Sequence, residues 1–347
     1  MTQTHAIDSY RAIALQLRCH AVHRLRQPAD ARARMAQCIT RLSGHIRAAL
    51  AFFGRDIKLV VLPEYFMTGF PMGEPVDAWI AKACLRTGCA EYEQLGAIAQ
   101  ATGIYLAGNA YETDEHFAGK YFQTCFVIAP SGDLILRYRR LNSMYATTPH
   151  DVWDAYLDRY GLDGVFPVAR TEIGNLAALA SEEILYPELA RCAVMRGAEI
   201  LLHSTSEIHH RAATPKDIAK RARAIENMAY VVSANSAGII DTAVPEASTD
   251  GGSAIIDHRG LVIAEAAPGE SMSACGDIEL AGLRRIRRRP GMGNLLSRQR
   301  FELYNACYGP ATAYPPNTLA DRAPTRDHFV ATQERAIQHL IDTGVLS

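Results

Sequence analysis

The 347-residue sequence predicts an α/β protein in which two mixed β-sheets pack face to face and helices cover the outer faces. Short runs rich in β-branched residues alternate with longer amphipathic segments, as expected when strands and helices alternate. The predicted elements fall into two similar series, β-α-β-α-α-β-β-β and then β-α-β-α-β-β-β, and each series can supply one sheet. Since 48% of the residues are hydrophobic, the chain can bury a sizeable core.

The first series begins with a loosely alternating strand, an amphipathic helix and a short strand of β-branched residues and leucine that is expected to be covered on both faces. Two helices follow, the second ending at a glycine, and then three strands. In order, these elements are predicted at residues 10–22, 30–53, 57–63, 76–85, 90–102, 104–110, 121–129 and 133–141.

Residues 142–167 are irregular and aromatic, and we predict a long loop that covers a site. The second series follows, with strands and helices predicted at residues 175–180, 186–196, 199–204, 214–228, 230–235, 254–257 and 261–265. From Leu283 onward the chain is rich in Arg, Pro and Gly, which indicates a tail that leaves the core. We therefore predict one domain at residues 1–289 and a tail at 290–347.

Composition excludes several classes of protein. The net charge of −1 and the pI of about 6.9 argue against nucleic acid or an anionic membrane as a partner. The eight cysteines lack paired metal or disulfide spacing, which favours reduced thiols and a cytoplasmic location. No apolar stretch reaches the length of a membrane span, and no Gly-rich phosphate motif is present, so we expect no membrane association and no cofactor.

One stretch suggests a reactive side chain. The apolar run at residues 175–180 ends abruptly at Ser181, and an acidic turn opens a helix. The first backbone N–H groups of a helix have no partner within the helix and point at any ligand beside them. Strand-to-helix bends of this kind expose nucleophiles in hydrolases, although a capped helix after any buried strand has the same pattern.

Five stretches together resemble the nitrilase, or carbon–nitrogen hydrolase, superfamily, in its order and spacing. They are LPEYFMTGF from Leu62, GDLILRYRRLN from Gly132, the stretch around Ser181, RARAIENMAYVVSANSAG from Arg221 and GGSAIIDHRGLVIAEA from Gly251. The resemblance implies an αββα subunit that pairs through its helices into an αββα–αββα homodimer or a larger assembly, with the tail reaching the partner. It also implies chemistry at an amide or nitrile carbon by a Glu–Lys–Cys triad.

This sequence departs from that triad. Glu64 matches the family's general base, but Arg140 stands at the lysine position and Ser181 at the cysteine position. Asp151, in Pro-His-Asp-Val-Trp, corresponds to a second glutamate of the amidase members. Each replacement keeps the broad type of group, so the resemblance implies a polar, charge-balanced pocket.

The replacements matter chemically. A serine hydroxyl is a much weaker acid than a thiol and normally needs histidine or lysine as its base. Arginine keeps the lysine's charge but does not exchange protons. Asp151 is one methylene shorter than glutamate. A buried pair between Arg140 and Glu64 would also lower the pKa of Glu64 and weaken it as a base.

Further pocket residues are predicted from their positions near these groups. The backbone N–H of Glu182 is the natural donor to an oxyanion beside Ser181, and Glu207 follows a strand on the substrate side. His203, His209 and His210 lie near Glu207, but their spacing does not favour a metal site. Four aromatic residues flank the triad positions and are expected to line the pocket: Tyr65, Phe70, Tyr145 and Trp153.

Two functions from different classes follow. The first is an enzyme that acts on a small amide or related acyl compound through Glu64, Arg140 and Ser181, and sequence does not separate hydrolysis from acyl transfer or condensation. The alternative is a catalytically inactive protein whose pocket binds a small amide or carboxylate, or whose surface binds a partner protein.

Overall fold

Two mixed six-stranded sheets with outer helices form within residues 7–208, 210 and 212–347, which the computed structural model describes. The predicted α/β sandwich is therefore confirmed. The strands are β1 (Ser9–Ala14), β2 (Cys19–His20), β3 (Ile57–Val61), β4 (Tyr105–Thr113), β5 (Tyr121–Ile128), β6 (Leu134–Arg139), β7 (Ala169–Thr171), β8 (Gly174–Ala180), β9 (Ile200–Ser204), β10 (Tyr230–Ala234), β11 (Ile239–Ile240), β12 (Ala254–Ile256), β13 (Val262–Glu265) and β14 (Cys275–Glu279). The helices are α1 (Pro28–Phe53), α2 (Val76–Ala83), α3 (Ala90–Thr102), α4 (Trp153–Val165), α5 (Pro187–Met195), α6 (Pro215–Asn227), α7 (Leu280–Arg288), α8 (Phe301–Tyr308) and α9 (Arg326–Asp342).

The two large sheets have the same pattern of strand directions. The first has the order β14-β1-β3-β4-β5-β6, and the second has the order β13-β12-β10-β9-β8-β7. In each sheet the central pairs β1–β3, β3–β4, β8–β9 and β9–β10 are parallel, whereas the outer pairs are antiparallel. The predicted two-series organisation therefore corresponds to two related sheets.

Three apolar layers hold the sandwich together. Small residues such as Ala12 and Ala178 from the facing sheets fill the centre. On one outer face α1 and α3 pack on the first sheet, and on the other α5 and α6 pack on the second. Because each sheet is covered on both faces, its strands are almost continuously apolar.

The carboxyl ends of β3 and β9 meet between the two sheets. The backbone N–H of Glu64 donates to the carbonyl of Thr205 at 3.3 Å, and the Ser204 hydroxyl donates to the carbonyl of Leu62 at 2.8 Å. The residues that follow parallel strands of both sheets therefore converge at one edge of the sandwich.

The structure differs from the sequence prediction at two places. Residues 142–167 are not a single irregular loop, because they contain α4, whose two glycines and kink at Gly161 (φ 60°) hide its helical pattern. The strand β14 was missed because its Cys-Gly-Asp-Ile-Glu sequence has little β-propensity. Leu280 and Leu283 of α7 are fully buried and lie within the predicted domain at residues 1–289.

Part of the predicted tail packs on its own chain. The backbone N–H groups of Asn317 and Leu319 donate to the carbonyls of His150 and Asp151, each at 2.9 Å. Leu319 is fully buried, and with Phe329 it joins an apolar cluster beside α4. Pairing of subunits through the outer helices, with the tail crossing to a partner, stays a prediction.

We expect Leu319→Ala to lower the free energy of unfolding by about 2–5 kcal/mol, because it leaves a cavity under the tail. Denaturant unfolding measures the change. Val345→Ala, at an exposed position in the same tail, is the matched control and should change stability by less than about 0.5 kcal/mol. Equal effects of the two substitutions would show that the tail does not contribute to the core.

Candidate active site

Glu64, Arg140 and Ser181 lie together at this edge of the sandwich, and all three are buried. Glu64 follows β3, Arg140 directly follows β6, and Ser181 is the first residue after β8. The structure brings the three residues together, with Nη1 of Arg140 3.7 Å from Oε1 of Glu64, and their catalytic roles stay predictions.

The Ser181 backbone lies in the left-handed region, at φ 51°, where non-glycine residues are uncommon. Its carbonyl accepts from Nε2 of His203 at 2.7 Å, and Nδ1 of that ring lies 2.8 Å from the Ser233 hydroxyl. Burial lowers the pKa of His203 well below its usual value, so the imidazole is neutral and Nε2 carries its proton. His203 is therefore a support for the Ser181 bend.

The carboxylate of Glu183 joins the Ser181 bend to the Arg140 segment. Its Oε2 accepts from the N–H of Ala180 at 3.0 Å, and its Oε1 accepts from the N–H groups of Leu141 and Asn142 at 2.7 and 3.0 Å. A buried carboxylate that accepts several N–H hydrogen bonds holds the segments that donate them in fixed positions. Glu183 therefore holds the two triad segments in register.

Glu64 is held by an amide as well as by a cation. Oε1 of Glu64 accepts from Nε2 of Gln123 at 2.5 Å and lies 3.7 Å from Nη1 of Arg140. Burial raises the pKa of Glu64, whereas the charges of Arg140 and Lys216 and hydrogen bonds from Gln123 and Ser181 act in the opposite direction. A raised pKa makes this carboxylate a stronger base than an exposed glutamate.

The guanidinium of Arg140 does not form a two-bond fork on Glu64. Nη1 donates to Oε1 of Gln123 at 2.6 Å, Nη2 donates to Oε1 of Glu182, and Nε donates to the carbonyl of Asn142 at 2.6 Å. Arg140 does lower the pKa of Glu64, as expected of a neighbouring cation, but burial outweighs this effect and the net pKa of Glu64 is raised.

Lys216 enters the same site from a different element. Its Nζ lies 3.4 Å from both the Ser181 hydroxyl and the Thr205 hydroxyl, and 3.6 Å from Oε2 of Glu207. Sequence reasoning missed this lysine and also missed Gln123. Each had a local signal: Gln123 is polar within the apolar strand β5, and Lys216 follows the Thr-Pro start of α6.

A sequence profile of the carbon–nitrogen hydrolase family matches residues 22–288, which include every residue of this site. The chain belongs to the carbon–nitrogen hydrolase family. The match supports the resemblance from which the three triad positions were predicted.

Curated relatives of this carbon–nitrogen hydrolase share about a quarter of its residues. It is 26% identical to omega-amidase NIT2 of Xenopus tropicalis over 233 residues, covering 67% of the chain and 80% of that protein. It is 27% identical to the nitrilase and fragile histidine triad fusion protein NitFhit of Caenorhabditis elegans, covering 72% of the chain and 55% of the fusion protein. The chain therefore spans about half of the fusion protein.

Solved structures support the same fold. The carbon–nitrogen hydrolase of Helicobacter pylori G27 superposes with a TM-score of 0.63 at 19% identity, over 88% of this chain and 99% of that one. Saccharomyces cerevisiae Nit3, a member of the nitrilase superfamily, superposes with a TM-score of 0.62 at 20% identity, over 82% of this chain and 94% of that one.

Two of the predicted aromatic residues lie beside Glu64 in this carbon–nitrogen hydrolase. Tyr65 is buried, stacks on Tyr111 with ring centroids 4.6 Å apart, and meets the edge of Phe70 at 5.2 Å. Burial raises the pKa of Tyr65, and the neighbouring charge of Glu64 adds to the rise. Tyr65 is therefore a neutral neighbour of Glu64, and Phe70 packs against it.

The other two predicted aromatic residues lie toward the tail. Trp153 lines a cavity of about 970 Å³ that also touches Glu182 and Asn142. Tyr145 is partly exposed, and its ring lies under the guanidinium of Arg326 at 4.1 Å. Both remain candidates for contact with a bound molecule, and neither touches the triad in a contact that the structure shows.

Asp151 makes its visible contacts away from the triad. Its Oδ2 accepts from the backbone N–H and hydroxyl of Thr148 at 2.9 and 2.8 Å, and its Oδ1 accepts from the Thr318 hydroxyl at 2.8 Å. It therefore caps a short 3-10 helix and holds the tail. Asp151 also lines the cavity beside Glu182, so a role toward substrate stays a prediction.

The carboxylate of Glu207 lies between the ammonium groups of Lys220 and Lys216. Its Oε1 accepts from Nζ of Lys220 at 2.6 Å, and Lys216 approaches its Oε2.

Within the described part of the chain, no group of three or more His, Cys, Asp or Glu side chains is arranged to hold a metal ion, and His209 lies outside that part. No described helix is both long and apolar enough to cross a membrane.

Proposed function

We propose that this carbon–nitrogen hydrolase cleaves the C–N bond of a small carboxamide, with Ser181 as the nucleophile. The observation that carries the proposal is the shared buried site of Ser181, Glu64 and Arg140 at the end of three strands. A hydroxyl, a base and a cation in one pocket are the groups that acyl transfer requires.

In the proposed reaction, the Ser181 hydroxyl attacks the amide carbon while Glu64 accepts its proton. We assign the stabilisation of the oxyanion to the charge of Arg140, which lies in a buried site where electrostatic interactions are strong. The C–N bond then breaks, the nitrogen leaves with a proton, and an acyl ester remains on Ser181. Water hydrolyses the ester and releases a carboxylic acid.

The substrate class rests on the chemistry of the site and on the relatives. Several curated relatives are named omega-amidases, which supports a terminal carboxamide as the bond that is cleaved. Glu182 and Asp151 place carboxylates on the neighbouring cavity, but Arg140 and two threonines already engage them. Because both carboxylates already have partners, we favour a substrate without a cationic group near the scissile bond.

We expect the purified protein to release ammonia from at least one amide in a panel of acetamide, propionamide, butyramide and the monoamide of succinic acid. Ser181→Ala should reduce the release to background, because no attacking hydroxyl remains. A coupled ammonia assay measures both proteins. If the wild type binds amides in calorimetry and releases no ammonia, the protein is a binding protein without turnover.

A further inference from the structure

We propose that Lys216, in the first turn of α6, is a catalytic proton donor and acceptor in this site. Arg140 cannot perform this role. The inference rests on the proposed function, since it assigns a partner to Ser181 as nucleophile. It adds a fourth group to the three that the family pattern predicts.

The ammonium of Lys216 lies close to the Ser181 hydroxyl oxygen, which is the atom that attacks in the proposed reaction. Its Nζ lies 3.4 Å from the Ser181 hydroxyl oxygen, at the long end of hydrogen bonding, and such catalytic contacts often tighten when substrate binds. Its charge also acts on the Glu64 carboxylate. Lys216 therefore lies within reach of the nucleophile and close to its base.

Neighbouring residues hold Lys216 in this position. Pro215 starts α6, and the Thr214 hydroxyl caps the helix by accepting from the N–H of Asp217 at 3.2 Å. The buried Lys220 donates to Oε1 of Glu207, and Oε2 of the same carboxylate faces Lys216 at 3.6 Å. The capped start of α6 therefore fixes the backbone of Lys216, and Glu207 gives its ammonium an anionic neighbour.

The chemistry requires such a group. An amide nitrogen is a poor leaving group unless it is protonated as the C–N bond breaks. The guanidinium of Arg140 keeps its protons, whereas a lysine ammonium can give one up and take it back. Lys216 is the lysine that the contacts of the described residues place on the Ser181 hydroxyl.

Protons balance over the full cycle. In acylation the Ser181 proton passes to Glu64, and the Lys216 ammonium gives a proton to the departing nitrogen. In deacylation the neutral Lys216 amine takes a proton from the attacking water, and Glu64 returns its proton to the Ser181 oxygen as the ester bond breaks. Both residues then return to their starting states, so no co-reactant other than water is needed.

The test compares two leaving groups. The best amide of the panel expels an amine that needs a proton, whereas p-nitrophenyl butyrate expels p-nitrophenolate, which leaves without one. Lys216→Arg keeps the positive charge beside Ser181 but cannot donate the proton, and Lys216→Ala removes both. Lys120→Ala, in the turn before β5, is the control for loss of a lysine.

We expect Lys216→Arg to lower amide turnover by about 10²–10⁴-fold, as for loss of a general acid, while the burst of p-nitrophenolate changes by less than about fivefold. Lys216→Ala should lose the same amide activity, and added methylammonium should restore part of it. Lys120→Ala should match the wild type. Thermal melting establishes that each variant is folded.

Equal losses on the amide and the ester, or full amide activity in Lys216→Arg, would overturn the role of Lys216 and leave Ser181 as the proposed nucleophile. A wild type that gives neither ammonia from an amide nor a burst from the ester would overturn the proposed function, and the role of Lys216 with it. The two failures are therefore distinguishable.

Discussion

Glu64→Gln is expected to lower amide turnover by about 10²–10⁴-fold, because the amide side chain cannot accept the Ser181 proton. The substitution keeps the shape of the residue, and the fold should tolerate it. Steady-state ammonia release from the best amide measures the loss. Glu182→Gln is the matched control, since it removes a carboxylate that also contacts Arg140 but is not placed to act as the base.

The pH profile separates the base from its neighbours. Burial raises the pKa of Glu64, and a base works only when it is ionised, so wild-type activity should fall as the pH drops through this raised pKa. Glu182→Gln should keep this acidic limb, whereas the residual activity of Glu64→Gln should lack it. An acidic limb that persists in Glu64→Gln would assign the proton transfer to another group.

Ser181→Cys is expected to retain or raise amide turnover, while Ser181→Ala loses it. A thiol has an ordinary pKa of about 8.5, so a carboxylate base can ionise it far more readily than a hydroxyl. From the sequence alone, a permanent Arg140–Glu64 pair would have kept Ser181→Cys silent unless Arg140→Lys was added. In the structure, the Arg140 fork donates to Gln123 and Glu182, and its Nη1 lies 3.7 Å from Glu64, beyond hydrogen-bonding distance.

The single variant and the double variant with Arg140→Lys decide between these expectations in one ammonia assay. Activity in Ser181→Cys alone agrees with the geometry of Arg140. Activity that appears only in the double variant would show that the arginine itself blocks the site. Silence in both variants would indicate a pocket that binds without turnover.

The triad positions could be predicted from sequence because five short stretches resemble the carbon–nitrogen hydrolase family in order and spacing, and the strand-to-helix bend at Ser181 is also a local pattern. The start of α6 could also be predicted, but the approach of Lys216 to Ser181 could not, because it depends on the parallel pairing of β8 with β9. Gln123 has the same difficulty: its amide reaches Glu64 only because β3, β4 and β5 are neighbours in one sheet.

The fold followed from sequence where apolar periodicity was strong. The sequence prediction failed at α4, where glycines interrupt the helical pattern. It also failed at β14, which pairs with β1 although the two strands are far apart in the chain. Asp151 was assigned to the site from the family resemblance alone. Its partners in the structure are Thr148 and Thr318, which hold a helix start and the tail, and a role of Asp151 toward substrate stays a prediction.

The most direct measurement is the site of covalent trapping by a small alkyl fluorophosphonate. In this reaction the attacking oxygen forms a bond to phosphorus and fluoride leaves, so the adduct marks the nucleophile. Intact-mass analysis and peptide mapping of the wild type should show one phosphonyl group on Ser181 and none in Ser181→Ala. No adduct after prolonged exposure, or an adduct on a residue other than Ser181, would contradict a serine nucleophile at this site.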